Sequence, residues 1–428
     1  MKLWEKGIST EKLIEEFTVG NDRELDIHLA KYDLQASIAH AQMLEKVALL
    51  SSDECAQIVN CLNEMLVEVQ EGSFSIEENF EDVHTKIEYE LIQRIGEPGK
   101  KIHTARSRND QVLVAMHLYM CQELSLIQEG VLEFFETLLE LSEKYAKHYM
   151  PGYTHMQVAM PSSFGLWFSA YAELLIDDVF MLKAAKEVCD QNPLGSAAGY
   201  GSNFDIDRAF TTEALNFSTL KYNSVAAQLS RGKAEKSCAL ALASFASTLA
   251  KFAMDICLFA GQDYNFIKFP DALTTGSSIM PHKKNPDVFE LIRAHCNKIQ
   301  AIPQQIAGIT SNLPSGYHRD LQLVKEPIVQ GINQFKECLE IFNYAIKQIE
   351  VRSSILEASK YEYIWSVDTL NEWVSSGIPF REAYQNMAKS IAAQQYEPVK
   401  YSAHTHLGSI GNLCLDEIRL KMRGAAEK

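Results

Sequence analysis

Between Gln111 and Tyr149 apolar residues recur at Leu113, Met116, Met120, Leu124, Ile127, Val131, Phe134, Leu138, Leu141 and Tyr145, in steps of three and four. Such a series draws one apolar stripe along an α-helix, and no proline and only Gly130 interrupt it. At 1.5 Å per residue the stretch predicts a rod of about 50–55 Å, longer than a small globular domain is wide. A second helical run extends from Ser162 to about Cys189 despite Gly165. A third, Lys233 to Ala260, holds neither glycine nor proline and sets Cys238, Leu242, Phe245, Leu249, Phe252 and Ile256 along one seam. Further helices are predicted from Pro286 to about Ile302 and from Glu326 to about Ser359. Rods of this kind predict a helix bundle. Ala239, Ala241, Ala243, Ala246, Ala250 and Ala253 on the third rod would admit a close neighbour on a second side, which points to oligomerisation through the bundle.

Before the rods the pattern is helical but broken. Ser51-Ser52-Asp53 is an N-cap signal, Ser75 to Phe80 reads as a turn before a helix from Asp82 to Arg94, and Glu97-Pro98-Gly99 ends that helix. After them, Gly377-Ile378-Pro379-Phe380-Arg381-Glu382 reads as a turn followed by a helix start. No convincing strand series or internal repeat is visible. The expected fold is all-α: a long central helix bundle over 109–355, with smaller helical domains at 1–108 and 356–428.

Composition narrows the partners. The 428 residues are 46% hydrophobic and 22% charged, those of an ordinary globular protein. Forty basic against 56 acidic residues give a formal charge of −16, which argues against nucleic acid or an anionic membrane as a general partner. An anionic substrate would need a local cationic pocket. Met1-Lys2-Leu3-Trp4-Glu5-Lys6 lacks the apolar core of a signal peptide, and nine scattered cysteines without a C-x-x-C pair read as reduced, buried thiols. A cytoplasmic protein is expected.

Three loops at rod ends are unlike ordinary connectors. In His103-Thr104-Ala105-Arg106-Ser107-Arg108-Asn109-Asp110-Gln111, two guanidinium forks and an amide stand where a helix leaves its first N–H groups unpaired, an arrangement suited to an anion. Capping by Asn109 or Asp110 is compatible with that. Pro151-Gly152-Tyr153-Thr154-His155-Met156-Gln157 presents His155, whose ordinary pKa near 6.5 lets it move protons, although a lone histidine is more often structural. Thr275-Gly276-Ser277-Ser278-Ile279-Met280-Pro281-His282-Lys283-Lys284-Asn285-Pro286 sets hydroxyls, lysines and an amide between two prolines that bias Met280 and Asn285 away from helix. Glu290, five residues after Asn285, starts the next helix; its carboxylate either orients an imidazole or complements the helix dipole. A fourth cluster, Gly316-Tyr317-His318-Arg319-Asp320-Leu321-Gln322-Leu323-Val324-Lys325, concentrates phenol, amide and ammonium donors, a composition that a hydrated loop would also have. His84 is expected on a helix surface, as is the His404-Thr405-His406 pair. There is no H-E-x-x-H, cysteine–histidine zinc spacing, P-loop or G-x-G-x-x-G, so neither a metal nor a nucleotide cofactor is signalled.

Gly276-Ser277-x-x-Met280-x-x-Lys283-x-Asn285 resembles the signature loop of the fumarase/aspartase superfamily. Within it, the segments at 103–111, 152–157 and 319–322 resemble the argininosuccinate lyase family. Four motifs in the right order over most of the chain carry that resemblance. It implies a homotetramer built on a many-helix bundle, with each active site assembled from three subunits. It also implies β-elimination of argininosuccinate to arginine and fumarate, without a cofactor. His155 and Ser277 would be the base and acid pair, in either order; Lys283 beside Ser277 favours the serine as base. Glu290 would orient His155. Ser107, Arg108, Asn109, Thr154, Asn285, Tyr317, Gln322 and Lys325 would hold the carboxylates and the arginine portion. The chain departs from the family in its Leu3-Trp4-Glu5-Lys6-Gly7 start, in Gly20 where a substrate-binding serine would align, and in His282 where glutamine is common. No N-terminal contact is therefore carried over. A sister lyase acting on adenylosuccinate, aspartate or malate, and a crystallin-like structural homologue, are the rival readings.

Overall fold

The computed structural model describes residues 12–398, 400 and 404–427, so the Leu3-Trp4-Glu5-Lys6-Gly7 segment lies outside the described residues. In chain order the α-helices are α1 (Lys12–Val19), α2 (Asp22–Asp26), α3 (Ala30–Lys46), α4 (Ser52–Gln70), α5 (Val83–Ile95), α6 (Arg108–Lys144), α7 (Phe164–Cys189), α8 (Arg208–Ala214), α9 (Ser224–Leu229), α10 (Lys233–Ala260), α11 (Asp287–Ile299), α12 (Ile302–Ile309), α13 (Lys325–Ile346), α14 (Ser366–Ser375), α15 (Phe380–Ala392) and α16 (Leu415–Glu427). The fold is mostly helical, and the predicted rods are α6, α7, α10, α11 and α13. The run expected to continue to Ser359 stops at Ile346. There Tyr145 Oη donates to Ile349 O at 3.1 Å, and Glu350–Val351 pairs antiparallel with Ile267–Lys268, a tertiary pairing that helix periodicity cannot register.

The chain divides into two compact units. The first takes Met1–Gln128, Met181–Ser244 and Lys298–Phe335. Its main core joins α3, α4 and α5 through Leu34, Leu44, Ile58, Leu62, Ile87 and Leu91. α4 is stopped at its start by a reciprocal capping box, Glu54 N to Ser51 Oγ at 3.3 Å and Ser51 N to Glu54 Oε2 at 3.0 Å. α5 is capped by Asp82, whose Oδ1 accepts from Thr85 N at 2.8 Å. That cap leaves Asp82 Oδ2 for the site described below.

The second unit takes Glu129–Phe180, Phe245–Asn297 and Lys336–Lys428. Aromatic rings fill its core: Tyr171 stacks on Phe252 at 4.1 Å, Phe252 on Phe342 at 5.0 Å, and Phe289 meets Phe342 edge-on at 5.5 Å. Each such ring buries enough apolar area to contribute about 3–5 kcal/mol against truncation to alanine. Gly165, in the first turn of α7, is required by closeness, since a Cβ there would lie 2.6 Å from Ala146 Cα and 2.8 Å from Ser142 O. Backbone atoms cannot swing aside. Gly165→Ala is therefore expected to cost about 1–3 kcal/mol despite alanine's better helix propensity, measured as a lowered urea midpoint. An unchanged midpoint would show that the junction yields.

α10 is long and apolar enough to cross a membrane by length and composition alone, but its seam from Cys238 to Ile256 is buried in the protein. Ala239, Ala241, Ala246, Ala250 and Ala253 are likewise buried within this chain, so they are not the free second face expected of them. The apolar side chains left exposed on α6, α7 and α10 are instead Leu126, Leu174, Phe180, Met181, Leu240 and Met254, among the described residues.

Strands are few. β1 (Tyr149–Thr154) and β2 (Gln157–Ser163) form one hairpin, and two further two-residue pairs are β3 (Gln191–Asn192) with β4 (Thr219–Leu220) and β5 (Ile267–Lys268) with β8 (Glu350–Val351). β6 (Thr275–Gly276) and β7 (Lys284–Asn285) form a second hairpin. Both hairpins were expected to be loops, and each carries candidate catalytic residues.

Candidate functional site

In the first unit a polar pocket is walled by Asp22 and Asp26 of α2, Glu81 and Asp82 before α5, His84, Arg108 and Asn109 at the start of α6, Arg231, and Tyr317, Arg319, Gln322 and Lys325. The entry to α6 explains the first cations. Asp110 Oδ1 accepts from Ser107 N at 2.9 Å, while its Oδ2 accepts from Gly195 N at 3.0 Å and Ala197 N at 2.9 Å. This fixes the turn that aims Arg108, whose Nη1 lies 2.9 Å from Asp82 Oδ2 and 3.1 Å from Glu81 Oε2. Arg106 is buried and donates to Ser37 Oγ at 2.9 Å. The arginine pair read as an open anion site is thus already engaged inside the protein.

The same holds at the other wall. Arg319 Nη2 reaches Glu81 Oε1 at 3.0 Å and Thr18 O at 2.7 Å, and Gln322 Nε2 donates to Thr18 O at 3.0 Å. Lys325, 3% exposed, places Nζ 2.6 Å from Asp26 Oδ1 and 2.8 Å from Asp22 Oδ1. Burial alone would pull its ammonium down, but Asp26 and Asp22 more than reverse this and hold it above the ordinary lysine value. Asp22 is itself raised, by burial first, and Asp26 and Asp82 add to that against the pull of Lys325.

His84 is not on a surface: it is 2% exposed, with Nδ1 3.1 Å from Asp33 Oδ2. Burial opposes its charge, yet Asp33, Asp82 and Asp26 together raise its pKa above 6.5. The folded state then binds this proton more tightly than the unfolded chain. The stability it contributes is fully present below pH 6.5 and is lost as pH rises through the raised folded value. Urea unfolding of wild type and His84→Gln from about pH 5.5 to 8.5 should show a stability difference that narrows towards alkaline pH. A difference that stays constant would remove the charged pair from the account.

The second unit presents the remaining candidates on its hairpins. In β1–β2 the register Tyr153↔Val158 and Thr154↔Gln157 leaves His155 and Met156 as a two-residue tip, with φ of 52° and 60°. Tight hairpin turns need left-handed residues there, a requirement usually met by Asn-Gly; His-Met meets it at a cost of about 1–2 kcal/mol each. Strain of that kind is retained where a side chain is needed in place. Thr154 and His155 are both exposed.

In β6–β7, Thr275 pairs with Asn285 and Gly276 with Lys284. Asn285 Nδ2 donates to Thr275 Oγ1 at 3.3 Å, Thr275 Oγ1 donates to Asp287, and Lys284 is tied to Asp271. Lys283 makes no ion pair among the described residues. Within the loop, Ser277 Oγ accepts from Met280 N at 3.1 Å and from Ile279 N at 3.3 Å, and Lys283 N closes the turn on Met280 O at 3.0 Å. Two N–H groups converging on one oxygen form a small anion nest. Glu290 stands exposed in the first turn of α11, beside the fully buried Phe289. No hydrogen bond or ion pair joins Glu290 to His155 among the described residues.

Arg108, Asn109, Tyr317, Gln322 and Lys325 are thus gathered at one pocket, with Ser107 holding the turn beside it; Thr154 and His155 share one hairpin, and Ser277, Lys283 and Asn285 another. Asp22, Asp26, Glu81, Asp82 and Arg231 were missed. The only sequence signal for the first two is their four-residue spacing, two and six residues after Gly20, the position where the family's substrate-binding serine would align. His404 Nε2 contacts Asp368, so it is a packed side chain rather than a surface one, while His406 is exposed.

The chain matches the family described as Lyase over residues 5–301. It is 51% identical to an argininosuccinate lyase of Bacteroides fragilis over 100% of this chain and 95% of that one. It is 42% identical to an argininosuccinate lyase of Thermotoga neapolitana over 92% and 99%. Among solved structures it is similar to an EDDS lyase in complex with formate, with TM-score 0.75, 20% identity and coverage of 98% and 90%. A class II fumarase from Schistosoma mansoni gives TM-score 0.75 at 17% identity, covering 89% of each chain. These two likenesses speak for the fold.

Proposed function

This chain belongs to the argininosuccinate lyase family, within the fumarase/aspartase superfamily, and from that premise we propose the course of its reaction. It is a carbon–nitrogen lyase that splits L-argininosuccinate reversibly into L-arginine and fumarate. The Cβ proton of the succinyl group is only weakly acidic, so its removal builds charge on the neighbouring carboxylate as an aci-carboxylate. Lys283, which has no carboxylate partner among the described residues, and Asn285 supply donors for that charge.

Ser277 takes the Cβ proton in this reading. The observation that carries it is the pair of N–H groups on Ser277 Oγ, which favours an alkoxide over a neutral hydroxyl; Lys283 is the cation of the same loop. His155 delivers a proton to the departing guanidino nitrogen as the C–N bond breaks, and Glu290, which does not reach it within one chain's described residues, orients it across a subunit boundary in the proposed assembly. Ser107, Arg108, Asn109, Thr154, Tyr317, Gln322 and Lys325 between them hold the carboxylates and the arginine portion.

The assembly proposed is a cytoplasmic homotetramer in which three subunits contribute to each site, with the chain organised as 1–108, 109–355 and 356–428. Exposed Leu126, Leu174, Phe180, Met181, Leu240 and Met254 on the rods support a partner there. A sedimentation mass near the single-chain 48.2 kDa would overturn the assembly. For the reaction, purified protein is incubated separately with argininosuccinate, adenylosuccinate, aspartate and malate while fumarate absorbance is followed. Fumarate is expected from argininosuccinate. Fumarate only from another substrate would identify a sister lyase, and none from any would leave a structural homologue.

A further inference from the structure

We propose that Arg231 receives the α-carboxylate at the arginine end of the substrate, an inference that rests on the lyase reading above. Arg231 sits in the short turn between α9 and α10 and is 7% exposed. The turn is built tightly around it. Arg231 N donates to Gln228 O at 3.2 Å, Gly232 has φ of +83°, and Gly232 N donates to Glu235 Oε2 at 2.6 Å. A Cβ on Gly232 would stand 2.5 Å from Thr310 Cγ2, so the backbone beside Arg231 is pressed against the end of α12. The guanidinium then lies 5.1 Å from the ring centroid of Tyr317. Stacking of this kind orients the fork and leaves its N–H edge open.

The charges around the pocket single Arg231 out. Arg108 is held by Glu81 and Asp82, Arg319 by Glu81, and Lys325 by Asp22 and Asp26. Arg231 lines the same pocket and makes no hydrogen bond or direct ion pair to a carboxylate among the described residues; burial raises the Glu235 carboxyl, and Glu235 meets the Arg231 charge, which draws it back down, only through space. A guanidinium buried to this degree is costly until an anion meets it. Four carboxylates in the wall also decide which end of the substrate belongs here. Set against the four cations Arg108, Arg231, Arg319 and Lys325, they leave no net positive charge to hold the two adjacent carboxylates of the succinyl end, and they suit the ammonium and guanidinium charges of the arginine end. That end carries one carboxylate, and Arg231 is the cation left to bind it.

The test runs the reaction backwards, joining fumarate to arginine or to agmatine, which is arginine without its α-carboxylate. The wild type is expected to favour arginine over agmatine in kcat/KM by about 100-fold or more, the size of a lost charge-assisted contact. Arg231→Met should lower that preference to about tenfold or less, by raising KM for arginine and leaving KM for fumarate unchanged. Arg231→Lys, which keeps the charge without the fork, should fall between. The preference is a ratio within one preparation, so a partly folded sample does not disturb it. If both variants keep the wild-type ratio, or if KM for fumarate rises in place of that for arginine, the assignment is overturned. Failure of the lyase reading looks different: the wild type itself would consume no fumarate with arginine.

Discussion

Ser277→Ala is expected to lower kcat for fumarate release from argininosuccinate by about 10²–10⁴-fold with KM nearly unchanged, the range for removal of a positioned acid–base group. Two features make the loss specific to chemistry. Ser277 lies in the loop between β6 and β7, where its Oγ accepts from Met280 N and Ile279 N, and it takes no part in an aromatic or aliphatic core. Removing the hydroxyl should leave folding alone and empty the nest of its oxygen. The thermal midpoint of the variant should match that of the wild type. A fall in kcat of less than tenfold would take the base assignment away from Ser277, and a larger loss in His155→Ala alone would move it to the histidine.

Lys325→Met is expected to destabilise the protein by about 3–5 kcal/mol and to raise KM for argininosuccinate. The ammonium sits between Asp22 and Asp26, and Asp26 is fully buried, with its second oxygen 3.2 Å from Val83 N. Without the lysine two carboxylates face each other in a low dielectric, and the larger part of the cost is their unpaired charge rather than the lost bridge. That cost depends on pH. Both carboxylates would then take up protons more readily when folded than when unfolded, so the deficit of the variant should shrink as pH falls into the carboxylate range. Asp26→Asn in the Lys325→Met background should restore part of the loss by the same reasoning. Urea unfolding at two pH values reads both effects. A deficit below about 1 kcal/mol would mean that water already reaches the cluster and screens it.

Much of the candidate site was legible in the chain because its residues are written in short segments. The loop from Thr275 to Pro286 declares itself by proline spacing and by the hydroxyl, lysine and amide side chains between. The choice of Lys283 over Lys284 was not legible on physical grounds; in the structure Lys284 is tied to Asp271, and Lys283 has no such partner among the described residues. The hairpins were missed for a related reason. β6 and β7 are two residues each, and β1–β2 turns on His155-Met156 where Asn-Gly would have announced it. Their strands are too short, or too interrupted by proline and glycine, for an alternating pattern to stand out.

From the chain alone follow the rods, their caps and the order of the loops at their ends, since helix periodicity and capping are settled within a few residues. α10 runs over the predicted span, Lys233–Ala260, for that reason. The chain alone does not say which carboxylate meets which cation. Asp26 and Lys325 are 299 residues apart, Glu81 and Arg319 are 238 apart, and Arg231 stands out only when every other charge in its pocket has been assigned. Pairings of that kind depend on distances of about 3 Å between groups remote in sequence, and only the folded packing sets such distances.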